Sequence, residues 1–161
     1  MQTLTMSPEF DANPALYSSI RTKRFFAFCV DTCLIFLVAS LLFVINLFLT
    51  VVTFGVAWIF MAFVFPAAGL AYNALTLGGE MNATPGMRLV GLEMSHLNGS
   101  SVSPLMAAGH ILLFWVITGP AITWVLLIGP SFFSNKKRLL HDILLGVVVY
   151  NRDERFADVA P

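Results

Sequence analysis

The chain has 161 residues, 58% of them hydrophobic and only 11% charged, with a mean hydropathy of +0.83. Soluble domains carry roughly 25% charged residues, so this composition excludes an ordinary soluble domain and implies a membrane protein. Lys plus Arg and Asp plus Glu number 9 each, and no basic cluster interleaved with aromatics is available to grip a nucleic acid.

Residues 1 to 20 hold Pro8, Asn13, Pro14 and several Ser and Thr without a sustained period, and read as a mobile tail. Glu9 and Asp11 and the lack of an apolar run before a small-residue site exclude a cleavable signal peptide there. Arg21, Lys23 and Arg24 then precede the first apolar run, which places the N-terminus in the cytoplasm. No charge occurs between Asp31 and Glu80, an interval too long for one span of about 20 residues. Two helices are therefore expected, at about 24–50 and 54–77, joined by a turn near Asn46, Thr50 and Thr53. Cys29 and Cys33, at i and i+4, are read as packing residues and not as a disulfide or metal pair. Pro66, Ala67, Ala68 and Gly69 allow a kink and close helix approach in the second helix. Asn46 and Asn73 are candidates for bonds between helices.

The loop 78–103 is the most polar stretch. It contains the turn signals Thr84-Pro85-Gly86 and Asn98-Gly99, with a short, partly alternating run from Arg88 to Leu97 between them. Ser103 before Pro104 marks a helix start. From Leu105 to Phe133 the chain again has no Asp, Glu, Lys or Arg. As one helix this would measure about 43 Å, and as two crossings about 21 Å each, and neither matches a hydrocarbon core of roughly 30 Å. Basic residues arbitrate. A single crossing leaves Arg21, Lys23, Arg24 and Arg88 inside and the other five outside, whereas a turn back keeps all 9 inside. Residues 104–133 are therefore expected to form a helical hairpin, broken at Gly119-Pro120 and buried against other helices or subunits. Residues 136–151 follow as an interfacial helix around His141 and Asp142 and a strand at Val147 to Tyr150, and 153–161 as a C-terminal tail. On the hairpin topology that strand can pair with the run from Arg88 to Leu97. The fold class expected is thus an all-α integral membrane protein with two full transmembrane helices, a third apolar hairpin and a small cytoplasmic β element.

Three stretches resemble the RDD family of bacterial membrane proteins. Arg24-Phe-Phe-Ala27-Phe-Cys-Val-Asp31 is similar to its opening motif, and Ala83-Thr-Pro-Gly-Met-Arg-Leu-Val-Gly-Leu92 to its central element. Leu140-His-Asp142-Ile-Leu-Leu-Gly-Val-Val-Val149 is similar to its closing one. The resemblance covers roughly residues 20 to 152. Met87 and Val147 depart from the lysine and threonine common at those places. The resemblance implies a functional triad of Arg24, Asp31 and Asp142, a central loop motif of Thr84, Pro85, Gly86, Arg88 and Gly91, and a multi-pass protein of the bacterial inner membrane. It also implies transport, cation and proton exchange having been proposed for some members.

Seven residues separate Arg24 from Asp31, which puts them on nearly one helix face with a rise of about 10 Å. A carboxylate at that depth costs on the order of 2.5–3.5 kcal/mol and needs a partner. On the hairpin topology Arg24 can reach both Asp31 and Asp142. Two readings stand: a transport subunit for protons or small cations, and a non-transporting scaffold or assembly factor in which the same cluster is a structural clamp. His110 and His141 are accessory candidates, either as proton-relay members or as hydrogen-bonded packing residues. Lys136, Lys137 and Arg138 are read as headgroup-binding or as a topology anchor. No phosphate loop, no Ser, His and Asp set in a soluble cleft and no Cys/His spacing for zinc is present, so no enzyme, cofactor or metal site is expected. The partners expected are the lipid bilayer and either further copies of the chain or a larger membrane complex.

Overall fold

A computed structural model describes Phe10, residues 13 to 118 and residues 127 to 156. A 3-10 turn at Pro14–Tyr17, capped by the Asn13 side chain on the Ala15 N–H at 2.9 Å, leads into α1, Ile20–Val52. At 33 residues, α1 is about 50 Å long, well beyond the roughly 30 Å of a hydrocarbon core. Its first turns can therefore carry Arg21, Lys23 and Arg24 while an apolar length remains to cross.

Thr53, Phe54 and Gly55 turn the chain. Phe54 and Gly55 take left-handed φ of 52° and 94°, and the Thr53 hydroxyl donates to Leu49 O at 2.7 Å and accepts from Ala57 N at 3.0 Å. A 3-10 segment, Val56–Phe60, continues into α2, Met61–Leu77, which runs through Pro66. Only 6% and 17% of the most apolar stretches of Ile20–Val52 and Val56–Leu77 are buried. The core helix of a soluble protein would be mostly covered; two long apolar helices left this bare are suited to lipid.

Beyond Leu77 the chain builds a compact end piece. The buried Asn82 donates through its side chain to Leu77 O and Val102 O, both at 3.0 Å, tying the two ends of the loop together. The short helix α3, Pro85–Leu89, leads to strand β1, Leu92–His96. Then come α4, Pro104–Thr118, α5, Pro130–Phe133, α6, Leu140–Leu144, strand β2, Val147–Asn151, and α7, Arg152–Phe156. The strands pair antiparallel, with Leu92 opposite Asn151, Met94 opposite Val149 and His96 opposite Val147. All five residues of β2 are buried. The main apolar core gathers here, from Leu16, Ile20, Ala27, Leu77, Met94 and Val147 to Tyr150. Helices α2 and α4 approach closely where glycine allows it: a Cβ on Gly69 would lie 2.8 Å from the Trp115 ring, and one on Gly78 would run into the backbone of Pro104.

Several expectations are corrected. Within the expected mobile tail, the described residues Phe10, Leu16 and Tyr17 pack into the core. Phe10 and Leu16 are fully buried, the Tyr17 hydroxyl donates to Phe10 O at 3.0 Å, and the Phe10 and Tyr150 rings stand 5.3 Å apart. These few apolar side chains follow no helical or strand period, so their pattern does not announce the contact. The first helix begins four residues earlier than 24 and ends at Val52, the regular α part of the second starts only at Met61, and residues 153 to 156 of the expected tail belong to the helix Arg152–Phe156. The proposed break at Gly119-Pro120 lies outside the described residues. What is described is that the tail returns to the N-terminal end of α1, where Lys23 Nζ donates to Asn151 Oδ1 at 2.7 Å.

Candidate functional site

Arg24, Ala27 and Asp31 share one face of α1, and each meets a different part of the end piece. Asp31 meets the Thr84-Pro85-Gly86 turn. Its Oδ1 accepts from the Tyr72 hydroxyl at 2.7 Å and from Gly86 N at 2.8 Å, and its Oδ2 from the Thr84 hydroxyl at 2.6 Å. Thr84 is at the same time the N-cap of α3, accepting from Met87 N at 3.2 Å, with Pro85 at the first helical position. Gly86 is required because a Cβ there would overlap Ala27 O and stand 2.8 Å from the Asp31 carboxyl. Ala27 is small for the same reason and is buried against the turn. Arg88 donates through Nε to Ala83 O at 2.9 Å, and Gly91, at φ 70°, precedes β1.

Asp142 is fully buried. Its Oδ2 pairs with Arg24 Nη1 and accepts from Leu139 N at 3.1 Å, an N-terminal cap on α6. Its Oδ1 faces two imidazoles, His110 Nε2 at 2.9 Å and His141 Nε2 at 3.4 Å, and the two rings meet edge to face at 4.3 Å. Burial alone would push the Asp142 carboxyl up. Arg24, the His110 hydrogen bond and His141 outweigh it and hold the group well below the usual carboxylate range. Burial pushes His141 down to about 4, more than Asp142 pulls it up, so its contact with Asp142 at neutral pH joins a neutral ring to an anion.

These groups line one cavity of about 550 Å³ between α1, α2, α4 and the end piece. Arg24, Asp31, His110, His141 and Asp142 form its polar part, and Phe28, Phe65, Phe114 and Trp115 are among its apolar walls. Arg24 Nε, Arg24 Nη2 and His141 Nδ1 are buried without a hydrogen-bond partner among the described residues.

Arg24 joins Asp142 and does not bridge to Asp31, contrary to expectation. A rise of about 10 Å separates Arg24 from Asp31 along the helix, and three neutral donors already occupy the Asp31 oxygens. Asn73 lines the cavity but donates to Gly69 O at 2.9 Å within its own helix, and Asn46 Oδ1 has no partner among the described residues. Lys137 Nζ donates to Tyr17 O at 2.6 Å, Lys136 is buried and Arg138 Nε is enclosed, so these three basic residues turn toward the protein in the described chain. Cys29 and Cys33 are free thiols. Tyr72 was not singled out from the sequence. Its signal was available, since a tyrosine inside an apolar span needs a partner for its hydroxyl.

Two long lipid-suited helices closed at one end by a small β pair, with a buried aspartate held against an arginine and two histidines, define a helical protein of membrane type. The RDD family model matches residues 20–146, and the chain belongs to that family. Comparison with curated proteins and with solved structures gives no match.

Proposed function

We propose that the chain is a multi-pass protein of the bacterial inner membrane, with its N-terminus and β pair on the cytoplasmic side, that serves as a transport subunit for small cations. The observation that carries this reading is the cavity of about 550 Å³, whose lining holds two acidic side chains, Asp31 and Asp142, against a single guanidinium. An acidic excess in a low-dielectric enclosure attracts a cation. The roles within the family triad then divide. Asp31 holds the central turn, Arg24 orients Asp142, and Asp142 with its two imidazoles faces the cargo. Two full spans enclose little of a path, so the subunit works as a homo-oligomer or inside a larger membrane complex, without enzymatic chemistry.

Reconstitution into liposomes loaded with a cation-sensitive dye tests this. The wild-type chain conducts above empty liposomes, and the double variant Arg24→Gln/Asp142→Asn, which removes both charges together and leaves neither unpaired, folds but does not conduct. Absence of flux in the wild type, or unchanged flux in the double variant, refutes the reading.

A second reading, a non-transporting scaffold, is favoured by a specific observation: every oxygen of both aspartates already accepts from a group of the protein. It predicts no flux, and lower accumulation or partner recovery for Asp31→Asn and Arg24→Ala.

A further inference from the structure

The sequence offers no metal-ligand spacing, yet the fold brings His110 from α4 together with His141 and Asp142 from α6. One ligand atom from each lies within 4.8 Å of the others. Both Nε2 atoms converge on the same carboxylate oxygen, Asp142 Oδ1, at 2.9 Å and 3.4 Å.

A four-coordinate ion with nitrogen and oxygen ligands at about 2.0–2.1 Å needs ligand atoms about 3.3–3.4 Å apart. The His141 to Asp142 spacing already meets that. The His110 to Asp142 spacing is that of a direct hydrogen bond and opens by about 0.5 Å to admit an ion, a small rotation of one side chain. The other oxygen, Asp142 Oδ2, is held by Arg24 and by Leu139 N, the kind of outer contact that orients a ligating carboxylate. His141 is only 3% exposed and lines the cavity.

We infer that His110, His141 and Asp142 form a three-ligand site for an exchangeable divalent transition-metal ion, with the fourth position open to the cavity. Two imidazoles and one carboxylate suit zinc, cobalt or nickel better than magnesium or calcium, which take oxygen ligands. The missing outer partner on His141 Nδ1 makes the site a weak holder compared with a closed structural one. The inference rests on the cavity described above for the entry of the ion, but it does not require that the ion be carried across.

The test is a titration of the full-length chain, purified in detergent and stripped with chelator, with Co²⁺ followed by visible absorption and with Zn²⁺ followed by calorimetry. The expected result is one ion per chain, with the intense visible bands of low-coordinate Co²⁺. Affinity should fall about tenfold or more in His110→Ala and in His141→Ala. His96→Ala, which removes the third histidine of the chain, leaves it unchanged. Should His141→Ala fail to fold, the less enclosed His110→Ala and His110→Gln variants, checked by gel filtration, give the same reading. Absence of saturable binding, or binding that survives loss of His110 in a folded protein, overturns the inference. Binding without flux in liposomes keeps the metal site and removes the transport reading; flux without binding does the reverse.

Discussion

Gly86→Ala is the sharpest probe of how the family motifs fit together. A Cβ at this position falls on the carbonyl oxygen of Ala27 and 2.8 Å from Cγ and Oδ1 of Asp31. Neither obstacle is the far end of a flexible side chain, since one is backbone and the other is held by Tyr72 and Thr84. The turn must therefore back away from α1, and the bonds from Gly86 N and the Thr84 hydroxyl to Asp31 go with it. Each such bond contributes about 0.5–1.5 kcal/mol, and each buried group left unpaired costs about 1–3 kcal/mol, so a loss of about 2–4 kcal/mol is expected. This is a large part of the roughly 5–15 kcal/mol that holds a domain together. Thermal unfolding in detergent, monitored by tryptophan fluorescence, reads it, and accumulation in the membrane should fall in parallel. Ala27→Gly should not rescue the variant, because the obstacle is a carbonyl and not the Ala27 methyl. An unchanged transition in Gly86→Ala, or rescue by Ala27→Gly, would refute the packing described for this turn.

Other substitutions follow the same logic. Arg24→Gln leaves Asp142 buried without its cation and should destabilise by about 3–5 kcal/mol, with much of this recovered in Arg24→Gln/Asp142→Asn; a thermal double-mutant cycle measures the coupling, and additive losses would deny the pair. Tyr72→Phe removes one donor from Asp31 and should lower stability by about 1–2 kcal/mol in the same assay. Gly69→Ala pushes a methyl to within 2.8 Å of the Trp115 ring and should cost about 1–3 kcal/mol, relieved by Trp115→Phe; equal losses with and without the second change would argue against the contact. Acidification has a defined sign. His141 titrates near 4 in the folded chain against an ordinary 6.5, so between those values the unfolded state binds more protons. Stability in the presence of chelator is therefore full above about pH 6.5 and falls by at most about 3–4 kcal/mol on the way through pH 4. Asp142, held low, adds its own loss only below that range, and His141→Phe should flatten the slope.

What could be read from the sequence was whatever is written in short range. The charge-free interval after Asp31 announces two apolar helices, the spacing of Arg24, Ala27 and Asp31 announces a shared face, and the turn dipeptides and valine run mark the stretches that form Leu92–His96 and Val147–Asn151. Partner choice was not legible. A shared face says that Arg24 and Asp31 look the same way, but not that one reaches forward to α6 while the other docks a turn. The side-chain donors to Asp31 come from Tyr72 and Thr84, far along the chain, and nothing local marks either as its partner. The burial of Phe10, Leu16 and Tyr17 escaped because three apolar side chains in a polar stretch carry no period. The meeting of His110 with His141 is not legible for a related reason: the two lie 31 residues apart in sequence and are brought together by two helices that meet at Asp142.

The pairing of Arg24 with Asp142 also bears on how the chain is made. Arg24 emerges early in synthesis and Asp142 late, so through most of that time the guanidinium at the head of α1 has no counter-charge to close upon. Asp31 differs, because Tyr72 and Thr84 follow it while the second helix and its loop are being completed. The central turn can therefore lock as soon as two helices are in place, and the arginine latch shuts only after the closing motif arrives. A chain cut short before α6 keeps an unmatched cation at the base of its first helix.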